Sequence, residues 1–180
     1  MMGPVEADAG EASLATVATK DGLAASFDAH GDRLFRLALR LGANREDSRD
    51  LVQETFVRAA SSAAFPTAPE RAAAWLVRTL VNLRTDHWRR TRARPEVSAS
   101  SGEIERAPDI RGGDPASRIA VRSAIMALPP RRRAVVVLHE IEGCSTSEIA
   151  SLLGLARATV RWHLMQGRKQ LAGRLLGGSS

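Results

Sequence analysis

The side chains with the most suggestive spacing lie near the C-terminus, where arginines alternate with large apolar groups. On one helical stripe the sequence presents Arg157, Arg161, Trp162, Met165 and Arg168. Guanidinium groups fit phosphates and guanine edges, while the apolar groups fit thymine methyls or sugars. The stripe therefore indicates a helix that contacts nucleic acid. The alternative interpretation of the same residues is an αα-hairpin in a helical bundle, with a solvated arginine face.

A second stripe combines an aromatic ring, an amide and arginines at 3- and 4-residue steps. Its members are Arg71, Trp75, Arg78, Asn82, Thr85 and Arg89. Arginine suits phosphates and base edges, so this stripe is a second candidate for contact with nucleic acid. Trp75 is equally consistent with the core, because its spacing does not separate the two roles.

The charge is arranged in blocks along the 180 residues. Residues 1–57 carry net −4, residues 58–95 net +6, residues 96–114 net −3 and residues 115–180 net +7. Among the 26 basic residues, Lys20 and Lys169 are the only lysines. Two basic segments separated by an acidic connector are expected of a chain with two separate nucleic-acid contacts.

Residues that could support catalysis or metal binding are sparse. Cys144 is the single cysteine, so no internal disulfide can form. The four histidines have no metal-binding spacing, and no glycine-rich phosphate loop occurs. We therefore expect no enzyme activity, no metal and no cofactor.

Nothing in the hydropathy pattern predicts membrane insertion or export. Residues 1–11 are acidic and lack an apolar segment, which argues against a secretory signal. The longest strongly apolar run, Ala134–Leu138, is far shorter than the ~20 residues that span a bilayer. A cytoplasmic location is expected.

The elements that must position both stripes are helices. Apolar spacing predicts helices from about residue 23 to 41, 45 to 63 and 70 to 91, with Phe27 on a buried face, and a second group of helices from Asp114 onward. Ser145 to Glu148 has the form of a capping box, and the short helix it opens ends near Gly154. Residues 145–176 thus fit a helix-turn-helix. The predicted fold is all-α, with a flexible tail over 1–20, one small helical domain over 21–92, a flexible linker over 93–114 and a second domain over 115–176.

Three motifs in this order resemble the extracytoplasmic-function RNA polymerase sigma factors. Residues 46–58, EDSRDLVQETFVR, are similar to that family's acidic D-L-V-Q-E-x-F signature. Residues 71–94 are similar to its promoter-melting helix, and residues 128–171 resemble its fourth conserved region, with L-P-x-x-x-R, E-I-A-x-x-L-G and A-T-V-R elements. The sequence departs from the family at Ala156, His139, Trp162 and His163, which puts the bound DNA sequence in question rather than the activity.

The resemblance implies a non-enzymatic factor that binds core RNA polymerase and promoter DNA and is held inactive by an anti-sigma protein. The polymerase-binding residues would be Asp47, Asp50, Leu51, Gln53, Glu54 and Phe56. The residues for the minus-10 element would be Arg71, Trp75, Arg78, Asn82, Arg84, Arg89 and Arg90. Those for the minus-35 element would be His139, Arg157, Thr159, Arg161, Trp162, Met165, Gln166 and Arg168. The alternative is a stand-alone helix-turn-helix regulator of duplex DNA, which leaves residues 22–94 unexplained.

Overall fold

The computed structural model describes residues 8–92 and 114–176, with side chains described over 22–90 and 114–176. Within these ranges the chain is helical and has no strand, which confirms the all-α prediction. None of these helices is long and apolar enough to cross a bilayer. The elements are α1 (Asp8–Arg40), α2 (Arg45–Ser61), α3 (Pro69–Arg92), α4 (Pro115–Met126), α5 (Pro130–Val136), a π-helical turn (Val137–Ile141), α6 (Thr146–Leu153) and α7 (Arg157–Leu176).

The first three helices pack against one another along their apolar faces. Leu34 and Leu37 of α1 meet a core that includes Phe56 of α2 and Leu76 and Leu80 of α3. Removing these side chains from water is the main stabilising contribution. The turn between α1 and α2 ends at Asn44, whose side chain accepts a hydrogen bond from the Asp47 backbone N–H at 2.7 Å and so caps α2.

Two predictions for this half differ from the structure. Helix α1 begins at Asp8, so most of the predicted flexible tail is helical, because alanine-rich sequence favours helix even without an apolar stripe. Phe27 is 50% exposed although its spacing predicted burial. It lies edge-on to Phe56, with ring centroids 4.9 Å apart, at the margin of the core. Residues 1–7 and most of the predicted linker, residues 93–113, lie outside the described residues.

The C-terminal half consists of α4 to α7 around a second apolar centre. Asp114 caps α4 by accepting hydrogen bonds from the backbone N–H groups of Ala116 and Ser117. Helix α5 begins at Pro130, since proline fits the first turn of a helix. The backbone then widens into the π-helical turn, where the Glu142 N–H donates to the Val137 carbonyl at 3.0 Å.

The predicted helix-turn-helix is present. Ser145 and Glu148 form a reciprocal capping box at the start of α6, and Gly154 ends α6 in the left-handed region at φ +62°. A left-handed residue is most easily supplied by glycine, which has no Cβ to strain. Ile149 of α6 and Val160 of α7 are fully buried and fix the angle between the two helices.

The two predicted helical domains also contact each other directly, which the sequence did not indicate. Buried side chains of both halves belong to one continuous cluster, in which α3 packs on α5 and α6. Arg133 of α5 donates to the Leu41 carbonyl at 2.9 Å, and Glu142 pairs with both Arg33 and Arg40 of α1. The junction is therefore partly apolar and partly formed by ion pairs and hydrogen bonds.

Candidate nucleic-acid interface

The outward face of α7 is basic and apolar at the same time. Val160 and Leu164 hold the helix on α6 and α5, so the intervening positions point outward. The side chains exposed there are Arg157, Arg161, Trp162, Met165 and Arg168. Each was predicted from the sequence to contact DNA, and the structure brings them together on one helix. An α-helix presented in this way has the width that a major groove admits.

Arg168 is held by an acidic side chain of the π-helical turn. Its Nε donates to Glu140 Oε1 at 2.8 Å, and its terminal nitrogen lies 2.7 Å from the same oxygen. Both side chains are exposed, so the pair contributes little to stability. Its effect is instead on the surface, where Glu140 reduces the positive charge that Arg168 presents.

The remaining predicted residues of this face are less accessible. His139, Thr159 and Gln166 are half-buried. His139 lies in the π-helical turn, and its Nδ1 is 2.8 Å from the Cys144 carbonyl oxygen. Wide turns of this kind are frequent at functional sites because they redirect side chains. Burial raises the pKa of the Cys144 thiol, so the thiol stays protonated at neutral pH.

Helix α3 presents a second basic stripe. Its exposed members are Arg71, Arg78, Asn82, Arg89 and Arg90. Trp75 belongs to the same stripe but is half-buried, because its ring packs edge-on against Phe65, with centroids 5.3 Å apart. The aromatic pair therefore lies where the loop between α2 and α3 meets the stripe.

Arg84 was predicted to contact DNA, and the structure places it elsewhere. Its guanidinium donates to the Gly42 carbonyl at 2.8 Å, at the end of α1. Burial lowers the pKa of Arg84, and the carboxylate of Asp47 partly offsets that shift. Arg84 therefore stabilises the turn after α1 and does not face solvent as a phosphate-binding arginine would.

The acidic face of α2 divides into exposed and buried positions. Asp50, Gln53 and Glu54 are exposed, whereas Leu51 and Phe56 are buried in the core. A helical signature thus mixes surface and core positions. Phe56 also lines an open groove between α1 and α2, and contact of Leu51 and Phe56 with a partner stays a prediction. This groove lies beside Gln53. It is lined by apolar groups and charged rims, namely Phe27, Phe35, Val52, Val57, Asp28, Asp32, Arg45 and Arg49.

Comparison with known proteins identifies the family. Residues 27–94 match the model for sigma-70 region 2, and residues 118–171 match the model for sigma-70, region 4. The ECF RNA polymerase sigma factor SigM of Mycobacterium tuberculosis is 34% identical over 151 residues, which cover 84% of this chain and 75% of SigM. The chain belongs to the ECF sigma factors. The resemblance drawn from the motifs is confirmed.

A further ECF sigma factor is similar in sequence, and two solved structures are similar in fold. SigE of Mycolicibacterium smegmatis is 40% identical over 151 residues, covering 79% of this chain and 57% of SigE, so the match spans little more than half of that relative. The solved structure of CnrH in complex with the cytosolic domain of CnrY has a TM-score of 0.64 at 29% identity and covers 94% of this chain and 96% of CnrH. The sigma factor RpoE from Bartonella quintana, solved with the anti-sigma factor NepR, has the same fold with a TM-score of 0.60 at 22% identity.

Sequence reasoning missed three side chains that organise the surfaces of this sigma factor. Arg133 joins the halves, Glu140 holds Arg168, and Arg132 lies over the ring of Trp162. For the two arginines, the only signal in the sequence was the run of three arginines after Pro130. That run did not reveal that Arg131 points to solvent, Arg132 to the ring of Trp162 and Arg133 to the buried junction.

Proposed function

We propose that this chain binds core RNA polymerase and directs promoter recognition, strand opening and transcription initiation, without catalysing a reaction itself. The observation that carries the proposal is the pair of basic helical surfaces, on α3 and α7, in a chain whose family is established by sequence. One surface combines arginines with an amide and an aromatic pair, and the other is the exposed helix of a helix-turn-helix. We assign binding of core polymerase and the minus-10 element to residues 21–92, and binding of the minus-35 element to residues 115–176.

The face of α7 is proposed to read the minus-35 element as duplex DNA. Arg157, Arg161 and Arg168 are exposed and suited to guanine edges or phosphates. His139, Thr159 and Gln166 would contribute from the margin of the same surface. The capping box and Gly154 support this role because they fix α6 and so determine how far α7 projects.

The stripe on α3 is proposed to hold the opened minus-10 element. Arg71, Arg78, Arg89 and Arg90 supply positive charge along one exposed face, and Asn82 supplies an exposed amide between them. Trp75 retains an accessible edge beside Phe65, where an unstacked base can pack against it. Arg84 is omitted from this assignment because it is bound to the Gly42 carbonyl.

The exposed side of α2 is proposed to bind the clamp helices of the largest polymerase subunit. Asp50, Gln53 and Glu54, with the half-buried Asp47, offer hydrogen-bond acceptors along one face, next to the groove between α1 and α2. That groove has an apolar floor and a rim with charges of both signs. Such a surface accommodates an amphipathic helix, whose apolar side enters and whose charged flanks pair at the rim.

An anti-sigma protein is proposed as a further partner. CnrH, the structural relative with 29% identity, was solved in complex with the cytosolic domain of CnrY. A protein that covers the α2 face and the basic helices would block polymerase and DNA together. The apolar groove beside Gln53 is the part of the surface best suited to such a partner.

The decisive experiment mixes the purified chain with bacterial core RNA polymerase, followed by gel filtration and run-off transcription from a genomic promoter library. We expect a complex that initiates at specific sites. Replacing both Gln53 and Glu54 with alanine should abolish complex formation, because both side chains are exposed on the proposed contact face. Gln170→Ala, an exposed glutamine outside the proposed surfaces, is the matched control and should behave as wild type.

A different result would favour the stand-alone regulator. In that case the chain would fail to bind core polymerase yet bind duplex DNA tightly by itself. Retention of complex formation by the Gln53→Ala, Glu54→Ala variant would instead contradict only the assignment of the polymerase face. Thermal denaturation of each variant separates these outcomes from loss of folding.

A further inference from the structure

Trp162 is exposed to an extent that is unusual for a tryptophan on a packed helix. Its side chain is 48% accessible, and Met165, three residues later on the same face, is 57% accessible. Residues three apart on an α-helix are neighbours, so the two side chains form a small apolar area. Exposed arginines occupy positions 157, 161 and 168 of the same helix.

The indole of Trp162 contacts two other side chains. The guanidinium carbon of Arg132, on α5, lies 5.2 Å from the ring centroid, a cation–π geometry. The ring of His163 also meets the indole edge-on, with centroids 4.9 Å apart. A side chain fixed in this way loses less conformational freedom when it binds a ligand than a free rotor would.

The stem of Arg132 passes over Gly167 on its way to Trp162. A Cβ added at Gly167 would lie 3.5 Å from Cγ and 3.8 Å from Cδ of Arg132, which is ordinary van der Waals contact. The Nε of Arg132 is buried without a hydrogen-bond partner in the structure. Packing against Gly167 and the indole, rather than hydrogen bonding at Nε, therefore directs this side chain.

The charge around Trp162 selects the class of ligand. Arg161 precedes Trp162 on α7, Arg132 of α5 lies over its ring, and Arg131 and Arg132 are both close enough to act on the charge of the neighbouring His163. An ordinary apolar protein surface would gain nothing from this positive charge, whereas a polyanion carrying apolar groups between its phosphates matches both features. Duplex DNA presents such groups in the major groove as the C5-methyl groups of thymine.

We propose that Arg132 is a positioning residue that fixes Trp162 so that the indole contacts a thymine methyl in the minus-35 duplex. The inference rests on the proposed function, because it assigns a specificity to the α7 surface. It makes Trp162 a specificity-determining residue and places Arg132 behind it, on a different helix. The contact requires a thymine at one defined position of the recognised element.

The test uses the holoenzyme formed from the full chain and core polymerase, with a promoter recovered by selection from randomised minus-35 sequences. Each thymine of the element is replaced in turn by deoxyuridine, which lacks only the C5-methyl group. For wild type we expect one position at which this change weakens binding about fourfold, the factor that corresponds to one buried methyl-sized group. Trp162→Ala should bind more weakly and should show no loss at that position.

The positioning role of Arg132 is tested with the same replacement of thymine by deoxyuridine. Arg132→Ala should reduce the methyl discrimination, and Arg132→Lys should restore part of it, because lysine keeps the cation near the indole. The effects of Arg132→Ala and Trp162→Ala should be non-additive. Arg118→Ala, an exposed arginine of α4, is the control and should keep full discrimination. Trp162→Phe provides a second variant should Trp162→Ala fail to fold.

Several results would overturn the inference and leave the proposed function intact. These are a holoenzyme that initiates normally while no thymine shows methyl dependence, equal methyl dependence in wild type and Trp162→Ala, or additive effects of the two alanine variants. Absence of any holoenzyme would contradict the proposed function itself. If the chain then binds duplex DNA alone, the same deoxyuridine scan on that duplex decides the role of Trp162.

Discussion

Arg133 donates a hydrogen bond from its guanidinium to the carbonyl oxygen of Leu41, 2.9 Å away and 92 residues earlier in the chain. The same guanidinium donates to the carbonyls of Met126 and Leu128. Gly42 makes the approach possible, because it has φ +90° and a Cβ there would lie 2.5 Å from the guanidinium. Burial lowers the pKa of Arg133 to about 10, and the nearby charge of Arg84 acts in the same direction. The arginine therefore stays charged at neutral pH and joins the two halves.

Arg133→Met should destabilise the folded chain by roughly 2–4 kcal/mol, because three carbonyls lose a donor while the loss of a buried charge offsets part of that cost. The measurement is urea denaturation followed by circular dichroism. Arg131→Met, on the exposed side of the same helix, should change the free energy of unfolding by less than about 0.5 kcal/mol. Equal effects of the two substitutions would show that Arg133 does not stabilise the junction.

The local features of this fold could be predicted from the sequence, and the junction could not. The capping box at Ser145 and Glu148 and the turn at Gly154 depend on residues close in the chain, so their patterns identify them. The contact between Arg133 and Leu41 depends on how two helical units approach, which no local pattern encodes. The same limit explains Arg84, whose burial is decided by the end of α1 rather than by its own stripe.

The contacts between the halves should open when the chain binds a promoter. The minus-10 and minus-35 elements are about 25 base pairs apart, which is roughly 85 Å along B-DNA, whereas a domain of about 65 residues has a radius of gyration of only about 11 Å. With Cys144→Ser as background, spin labels at Ala29 and Ala172, both exposed, should report one short distance in the free chain and a much longer one in the promoter complex. An unchanged distance would contradict the proposed use of both surfaces on one promoter.

Glu142 contributes a carboxylate to the same junction. Weakening its ion pairs should open the junction partly, which the same spin-label distance can detect in the free chain. Glu142 pairs with Arg33 and Arg40 of α1 while its own side chain is buried. Glu142→Gln removes the charge and keeps the size, so the distance distribution of the free chain should broaden toward longer values. Glu54→Gln, whose partner Arg58 lies on the same helix, should leave the distribution unchanged.

Gly167 should not tolerate even a methyl group. A Cβ at this position would lie 2.5 Å from Cγ2 of Val136, where α7 crosses α5. We expect Gly167→Ala to destabilise the chain by about 1–3 kcal/mol, as overpacking of a close helix contact does. Gly173→Ala, in the same helix with nothing within 4 Å, should instead stabilise it by about 0.5–1 kcal/mol. Thermal or urea denaturation of the two variants gives the comparison, and equal effects would contradict the close packing.

Glu140 should weaken DNA binding by neutralising Arg168. In Glu140→Gln the guanidinium is no longer held by a carboxylate, so affinity for the minus-35 duplex should rise and its salt dependence should steepen by about one counterion. Stability should change by less than about 1 kcal/mol because the pair is exposed. In an Arg168→Ala background the Glu140→Gln substitution should have a much smaller effect, and an undiminished one would contradict the coupling. Binding is measured by fluorescence anisotropy at several salt concentrations.

His163 should make the folded chain sensitive to mild acid. Burial and the positive charges of Arg132 and Arg131 lower the pKa of His163 in the folded state, while the unfolded chain keeps a value near 6.5. The unfolded chain therefore binds the proton at a higher pH than the folded chain does. As a result, His163 does not lower the free energy of unfolding above about pH 7, and it lowers that free energy as the pH drops below about 6.5. The change of the free energy of unfolding with pH corresponds to at most one proton for this group, and it should be smaller in His163→Gln.

Arg131 allows the cause of that acid sensitivity to be examined separately from the histidine. Arg131→Gln removes one of the charges that oppose protonation, so the pKa of His163 should rise toward its ordinary value and the loss of stability between pH 7 and pH 5 should shrink. Urea midpoints measured across this range for wild type and both variants, with the histidine ring followed by NMR titration, report stability and pKa together. A folded-state pKa equal to the unfolded value would abolish the effect. A higher folded-state pKa would reverse its sign, because the stability from His163 would then be present at low pH and lost as the pH rises through the folded-state pKa.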